Sequence, residues 1–542
     1  MSTSSQSLSL VAFTAVATAT LLLSVVTSPD RDDLETFYTG FGRLTPLRNG
    51  LAIAGDYLSA ATVLATTGII ALVGYDGVVL ALSTALSLML LMFLLAEPLR
   101  NAGLFTMGDV LARRMPGRAT RMAACTVTLA ALLPLMLVQL AGAGDLLAFL
   151  LGFNSGAFKT VSVIALGALM ISYAAIGGMK GTALIQILKI VMLLGSGAVA
   201  AALILHRFDW NPGELLAAAA RGSGAGRAYL TSGLQFTDSA APRLDMISSE
   251  LTVVLGGAAL PHVTMRMYTA RNAREIRRSL SWAVSSVAVV ILIVSVIGFG
   301  AAALVGRTSI TTANAQGNTA FLLGARAAFE TLASTTRSLL FTAVTTAIFL
   351  TLLASVAGMI LACANSLAHD VFAYRRRPLS ARAELRTARI CALAVGAPAI
   401  ALATLVQHHN LQPLATLSFC LGASALAPAL VYGLFWRRYT RTGLLWTLIG
   451  GTVTCLILMT GTNLVSGTPT SALPGRDFNW FPFTTPGLVS IPLGFAFGWL
   501  GSVLTPPRKA AEQRRQYEAV EGWILAGAAG QGPPRAPTRR EG

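Results

Sequence analysis

The stretch Asn49-Gly50-Leu51-Ala52-Ile53-Ala54-Gly55-Asp56-Tyr57-Leu58-Ser59-Ala60-Ala61-Thr62, running on to Thr66-Thr67-Gly68, decides how this chain is read. It opens an apolar segment of the length that crosses a bilayer, about 20 residues. Yet it carries a carboxylate, several hydroxyls and three glycines. Polar groups at membrane depth are costly and mark functional positions by default. A helix break is tolerated there only where it lines a cavity, and the carbonyls it frees can hold a cation. The residues alone also allow a second reading, in which the glycines serve close helix packing and Asp56 sits hydrated near the cytoplasmic end.

The surrounding chain has 542 residues, 54% of them hydrophobic and 12% charged. An ordinary soluble domain carries about twice that share of charge. A soluble protein of this length cannot bury so much apolar surface. The sequence is neither polar nor repetitive, which excludes disorder. An all-α polytopic membrane protein remains, with lipid as the solvent for most side chains. The five cysteines, Cys125, Cys363, Cys391, Cys420 and Cys455, lie in or beside apolar stretches without CxxC spacing. They read as small core residues, not as a disulfide or metal framework.

Apolar runs predict thirteen spans: 8–28, 49–74, 77–98, 122–150, 160–177, 183–206, 246–265, 279–305, 338–372, 388–406, 413–436, 441–462 and 486–505. The first lacks the basic region and cleavage site of a signal peptide and is kept as a helix. The long run 338–372 is expected to project into water. The net charge of +17, from 40 basic against 23 acidic residues, then has a use. With the N-terminus outside, thirty Lys and Arg fall in the cytoplasmic connections and the tail, among them Arg31, Arg43, Arg100–Arg121, Arg266–Arg278 and Arg375–Arg389. Nine fall outside: Lys159, Arg207, Arg221, Arg227, Arg243, Arg307, Arg326, Arg337 and Arg476. That is a strong positive-inside bias, so the basic residues report topology and not nucleic-acid binding. Two external loops are long, near 207–245 and 306–337, and 510–526 could form a short interfacial helix.

Three further spans hold polar groups. In the ninth, Thr351, Ser355 and Gly358 share a helix face. Their hydroxyls could ligate a hard cation or bond back to their own helix. The seventh holds Glu250, Gly256-Gly257 and Pro261-His262. Pro261 should bend the helix and free a carbonyl, and Glu250, His262 and Asp56 are the candidate proton or gating groups. The sixth has Gln186 and Lys189 on one face, with Lys189 near enough to the inner interface to snorkel.

The stretch Ile171-Ser-Tyr-Ala-Ala-Ile-Gly177-Gly178-Met179-Lys180, continuing to Gln186 and Lys189, resembles a signature of sodium/solute symporters. So does Gly256-Gly-Ala-Ala-Leu-Pro261-His262-Val-Thr-Met-Arg266. Together with Asn49–Thr62, they look most like the cation/acetate, or monocarboxylate, branch. The resemblance covers roughly 45–505. It implies a LeuT-like core of two five-helix repeats in inverted orientation, over 49–206 and 246–436. Around it lie a peripheral N-terminal part (1–48), an external loop (207–245), two peripheral helices (437–505) and a cytoplasmic tail (506–542). The broken helices would be the second and seventh spans. The odd number of spans per repeat makes the charge-derived topology consistent with inversion.

The resemblance also implies a cation site. Carbonyls of Gly55 and Leu58, with Ala54 and Tyr57 as the register alternative, would face Thr351, Ala354 and Ser355. One position that carries a hydroxyl in the family is Ala354 here, which puts sodium coupling in doubt and leaves a proton as the other coupling ion. Ser59, Ala60 and Thr62 would border the substrate, and no arginine clamp is expected, because the arginines fall in loops or at span ends. The implied protein is not an enzyme and needs no cofactor beyond its coupling Na+ or H+. It would import a short monocarboxylate such as acetate, propionate or pyruvate across the cell (inner) membrane, with lipid and no nucleic acid as its surroundings. Another small organic solute, or a sensor built on the same fold, is the alternative.

Overall fold

The computed structural model describes residues 3–29, 33–40, 44–152, 155–237, 239, 241–374 and 379–527. Arg31, Arg43, Arg375–Arg377 and the tail beyond 527 lie outside the described residues. The elements are helical. In chain order they are α1 (Thr3–Val26), α2 (Leu34–Thr39), α3 (Pro46–Tyr57), α4 (Ala60–Val73), α5 (Tyr75–Leu90), α6 (Ala96–Ala102), α7 (Met107–Arg114) and α8 (Arg118–Leu151). Then come α9 (Gly156–Arg207), α10 (Pro212–Gly222), α11 (Pro242–Ala259), α12 (Pro261–Thr264), α13 (Ala273–Leu304), α14 (Arg307–Ala313) and α15 (Ala320–Phe329). The rest are α16 (Ser334–Ser366), α17 (Ala381–Val406), α18 (Gln412–Leu421), α19 (Ala427–Phe435), α20 (Arg441–Thr460), α21 (Gly487–Val503) and α22 (Pro507–Ala526).

Among the described residues, nine helices are long and apolar enough to cross a membrane, and three bent pairs bring the number to twelve if each is one span. Two of those pairs are the expected breaks. α3 and the helix that follows it meet at 60°, and α11 and the segment from Pro261 to Thr269 meet at 40°. Each break has a local cause. Leu58 is extended (φ −83°, ψ 96°), and Ser59 restarts the helix by accepting the Thr62 N–H at 3.0 Å. A serine oxygen at that position replaces an intrahelical acceptor. At the second break Pro261 brings no N–H and forces its predecessor out of the helical region; Leu260 is at ψ 128°.

The expected fifth and sixth spans both fall in α9, whose 52 residues would measure about 78 Å, more than twice a bilayer core. The backbone divides it at Gly178 (φ 53°, ψ −153°), where a Cβ would stand 2.7 Å from the Phe37 ring. In the ninth expected span, α16 is buried from Phe341 to Ser366 almost without exception, and its first residues, Ser334–Leu340, are exposed or half-buried. Its polar end, Asp370, is held by Arg121 at 2.7 Å and Thr106 at 3.0 Å. The two long connections contain helices of their own, α10 in one and α14 and α15 in the other. All five cysteines are free and buried.

The helix contacts come in reciprocal pairs. α5 lies against α11, and α13 against α3; α8 lies against α18, and α16 against the second half of α9. Exchanging the first five spans of the core with the next five turns each contact into its partner, as an inverted repeat requires.

Candidate functional site

The last turn of α3 carries Asp56, 1% exposed. One carboxylate oxygen accepts from Arg266 Nε in a fully buried ion pair. The other accepts from Gln186 Nε2. Arg266 belongs to the short 3-10 turn Met265–Thr269 that continues α12, and its remaining nitrogens reach Met179 O and Thr182 Oγ1 of α9, both at 3.4 Å. Gln186 donates again, to the Ala354 carbonyl of α16 at 3.0 Å. One helical turn further along α9, Lys189 Nζ donates to Gly55 O at 2.6 Å and to Ser355 Oγ at 3.0 Å. Four elements thus meet on one buried polar cluster: α3, α9, α16 and the turn after α12.

The helices approach closely because small residues face inward. A Cβ on Gly55 would lie 2.7 Å from the Gln186 carbonyl, and one on Gly358 would lie 2.7 Å from Asp56 Oδ1. Of the two registers considered for α3, the Gly55 carbonyl faces Lys189, whereas Ala54 O is taken by the Leu58 N–H at 2.9 Å. Leu58 itself is buried at the break. In α16 the hydroxyls bond back to their own helix: Thr351 Oγ1 donates to Ala347 O at 2.6 Å, and Ser355 Oγ to Thr351 O at 2.8 Å.

Ser59 and Thr62 lie at the start of α4, with their hydroxyls 2.8 Å apart, and Ala60 is buried beside them. His262 is buried in α12, and its Nδ1 has no hydrogen-bond partner among the described residues. Glu250 stands apart, midway along α11 and beside Ser83, and pairs with none of the cluster.

Two readings of the sequence change, and one open choice closes: Asp56 is buried, 1% exposed. Lys189 does not snorkel: it is 0% exposed, its ammonium held by oxygens of α3 and α16. Arg266 is not a loop residue: its whole turn is buried, and the backbone after Pro261 tucks the guanidinium under Asp56.

A second cluster lies at the Arg-rich end. Asp109 of α7 is 2.8 Å from Arg121 and 3.2 Å from His369, and His369 is 2.8 Å from Glu384. Burial pushes the Asp109 carboxyl up, but the His369 and Arg121 charges and the Phe105 N–H outweigh it and hold it well below the usual carboxylate range. Next to it, Arg114 caps the end of α19 by donating to the carbonyls of Tyr432, Gly433, Trp436, Arg437 and Tyr439. No group of three or more His, Cys, Asp or Glu with metal-site geometry occurs among the described residues.

Two broken helices crossing at a buried charge cluster, inside an inverted repeat, define a multi-pass membrane transporter of the LeuT fold. The model of the sodium:solute symporter family matches residues 37–451, and the chain belongs to that family. It is 38% identical over 505 residues to the monocarboxylic acid transporter of Corynebacterium glutamicum, covering 91% of this chain and 90% of that one. It is 34% identical over 502 residues to an uncharacterized symporter, YwcA, of Bacillus subtilis, covering 92% and 95%. Among solved structures, a Na+-coupled sialic acid symporter in a substrate-bound, outward-open state superposes with a TM-score of 0.70 at 15% identity, over 92% of this chain and 98% of that one. A nucleobase-cation-symport-1 family transporter in a closed conformation, with bromovinylhydantoin bound, gives 0.53 at 14% identity, over 93% and 99%. These likenesses bear on the fold alone.

Proposed function

We propose that this protein imports a short-chain monocarboxylate, with acetate, propionate and pyruvate as the candidates, by cation-coupled alternating access. The observation that carries the reading is the charge at the helix breaks. Lys189 and Arg266 face a single carboxylate, Asp56, and all three are buried. With every group ionised the cluster holds one positive charge in excess. Buried charge is costly unless compensated, and an anionic solute arriving beside it supplies the compensation. The start of α4 points the positive end of a helix dipole at the same region, with Ser59 and Thr62 as donors. The unpartnered Nδ1 of His262 offers a further contact. The name of the Corynebacterium relative supports the same class of substrate.

A monovalent cation moving inward gains about 2.3 kcal/mol per 100 mV. One cation with one monocarboxylate is electroneutral, so the potential drives such a pair only if more than one cation moves. With a single proton, the pH gradient is the driver. The charge count of the connections supports an external N-terminus and a cytoplasmic C-terminus in the cell membrane.

Counterflow tests the substrate. Vesicles holding purified protein and unlabelled acetate should take up labelled acetate transiently above its equilibrium level. The same protocol with propionate and pyruvate ranks the acids.

A further inference from the structure

The cation site that the resemblance implies lies between the break in α3 and the face of α16. Three of the oxygens implied for that site, Gly55 O, Ala354 O and Ser355 Oγ, are already engaged by N–H donors. Gly55 O and Ser355 Oγ both accept from Lys189 Nζ, at 2.6 and 3.0 Å. Ala354 O accepts from Gln186 Nε2 at 3.0 Å, and position 354 has no hydroxyl to add. The Thr351 hydroxyl donates to its own helix. A sodium ion needs several oxygens with free lone pairs directed at it. An ammonium is a compact cation that seeks the same oxygens, and two like charges sharing one carbonyl repel strongly in a buried site. The residues of this chain therefore do not fit sodium at this place.

We propose that Lys189 is a tethered cation. Its ammonium stands where the family holds sodium, ties the break in α3 to α16, and leaves sodium no seat. The ion that other members gain and lose at each turn of the cycle is here covalently part of α9. This deepens the transport reading by removing sodium from its candidate coupling ions, and it rests on that reading only where uptake is measured.

The test starts with binding, which needs no substrate. Purified full-length protein is titrated with millimolar 22Na+ in a scintillation proximity assay, beside Lys189→Met, Lys189→Arg and the double variant Lys189→Met/Ser355→Ala. Wild type and Lys189→Arg should show no saturable binding. Lys189→Met frees Gly55 O and Ser355 Oγ, so saturable binding and sodium-dependent thermal stabilisation should appear. The double variant should lose both. Saturable 22Na+ binding by wild type overturns the proposal, and so does a folded Lys189→Met that stays indifferent to sodium. If Lys189→Met does not fold, the wild-type and Lys189→Arg titrations still decide. In vesicles, acetate counterflow by wild type should be unchanged when choline replaces sodium, and a fall to background contradicts the proposal. Should no acid exchange at all, the transport reading fails while the binding result still stands or falls by itself.

Discussion

Asp56 and Arg266 form the pair on which the site is built. Neither reaches solvent, so removing Asp56 leaves the Arg266 and Lys189 cations uncompensated, and removing Arg266 breaks the carboxylate's direct ion pair. That costs about 3–5 kcal/mol, far more than the loss of a surface pair. Asp56→Asn and Arg266→Gln should each lower the unfolding midpoint of the detergent-purified protein. The double variant should recover part of the loss, because it leaves neither charge behind. Single variants as stable as wild type would show that the pair is not buried as described. Asp56 stood out in the sequence as a carboxylate among glycines in an apolar run, but a cavity lining and a hydrated helix end were equally open for it. Its partner did not stand out. Arg266 follows a proline in a stretch that ends in basic residues, and only the folded turn brings it back under α3. Lys189 was noticed, but its distance from a span end suggested snorkelling. The oxygens that hold it come from helices far away in the chain.

At the scale of elements, the breaks were readable and their consequences less so. Pro261 and the Ser59 cap are local signals, and the chain bends at both. How α16 docks is a matter of clearance. Gly358 faces Asp56 with no room for a methyl group. Gly358→Ala should therefore overpack the α3–α16 contact by about 1–3 kcal/mol, and acetate counterflow should fall while membrane insertion persists. Gly178 poses a backbone demand instead. Its positive φ and the Phe37 ring beside it disfavour any side chain, so Gly178→Ala should cost about 1–2 kcal/mol and reduce the yield of monodisperse protein.

The Arg-rich end adds a pH dependence. The Asp109 carboxyl is held below its ordinary value in the fold. Its contribution is thus complete above the unfolded value, near 3.9, and is lost as pH falls below it. The difference in unfolding midpoint between wild type and Asp109→Asn should shrink as pH is lowered from about 5 toward 3. A difference that grows over that range would contradict the assignment. His369, Glu384, Asp370 and Arg121 all border Asp109 or its partners, so the comparison is made against Asp109→Asn and not read from wild type alone.

For the whole molecule, the scarcity of charge and the length of the apolar runs led directly to an all-helical membrane fold. The five-span offset led to the repeat, whose two halves the reciprocal helix contacts now express. The site resisted because it depends on which helices cross, and a single sequence carries no record of that. The excess positive charge at the crossing emerges only when Lys189, Arg266 and Asp56 are seen together. That charge is what the proposed anionic substrate would compensate, and counterflow of a labelled acid in reconstituted vesicles tests it most directly. The account predicts a transient overshoot of acetate that propionate or pyruvate suppresses and that Arg266→Gln abolishes. No counterflow with any acid of two to four carbons would contradict it.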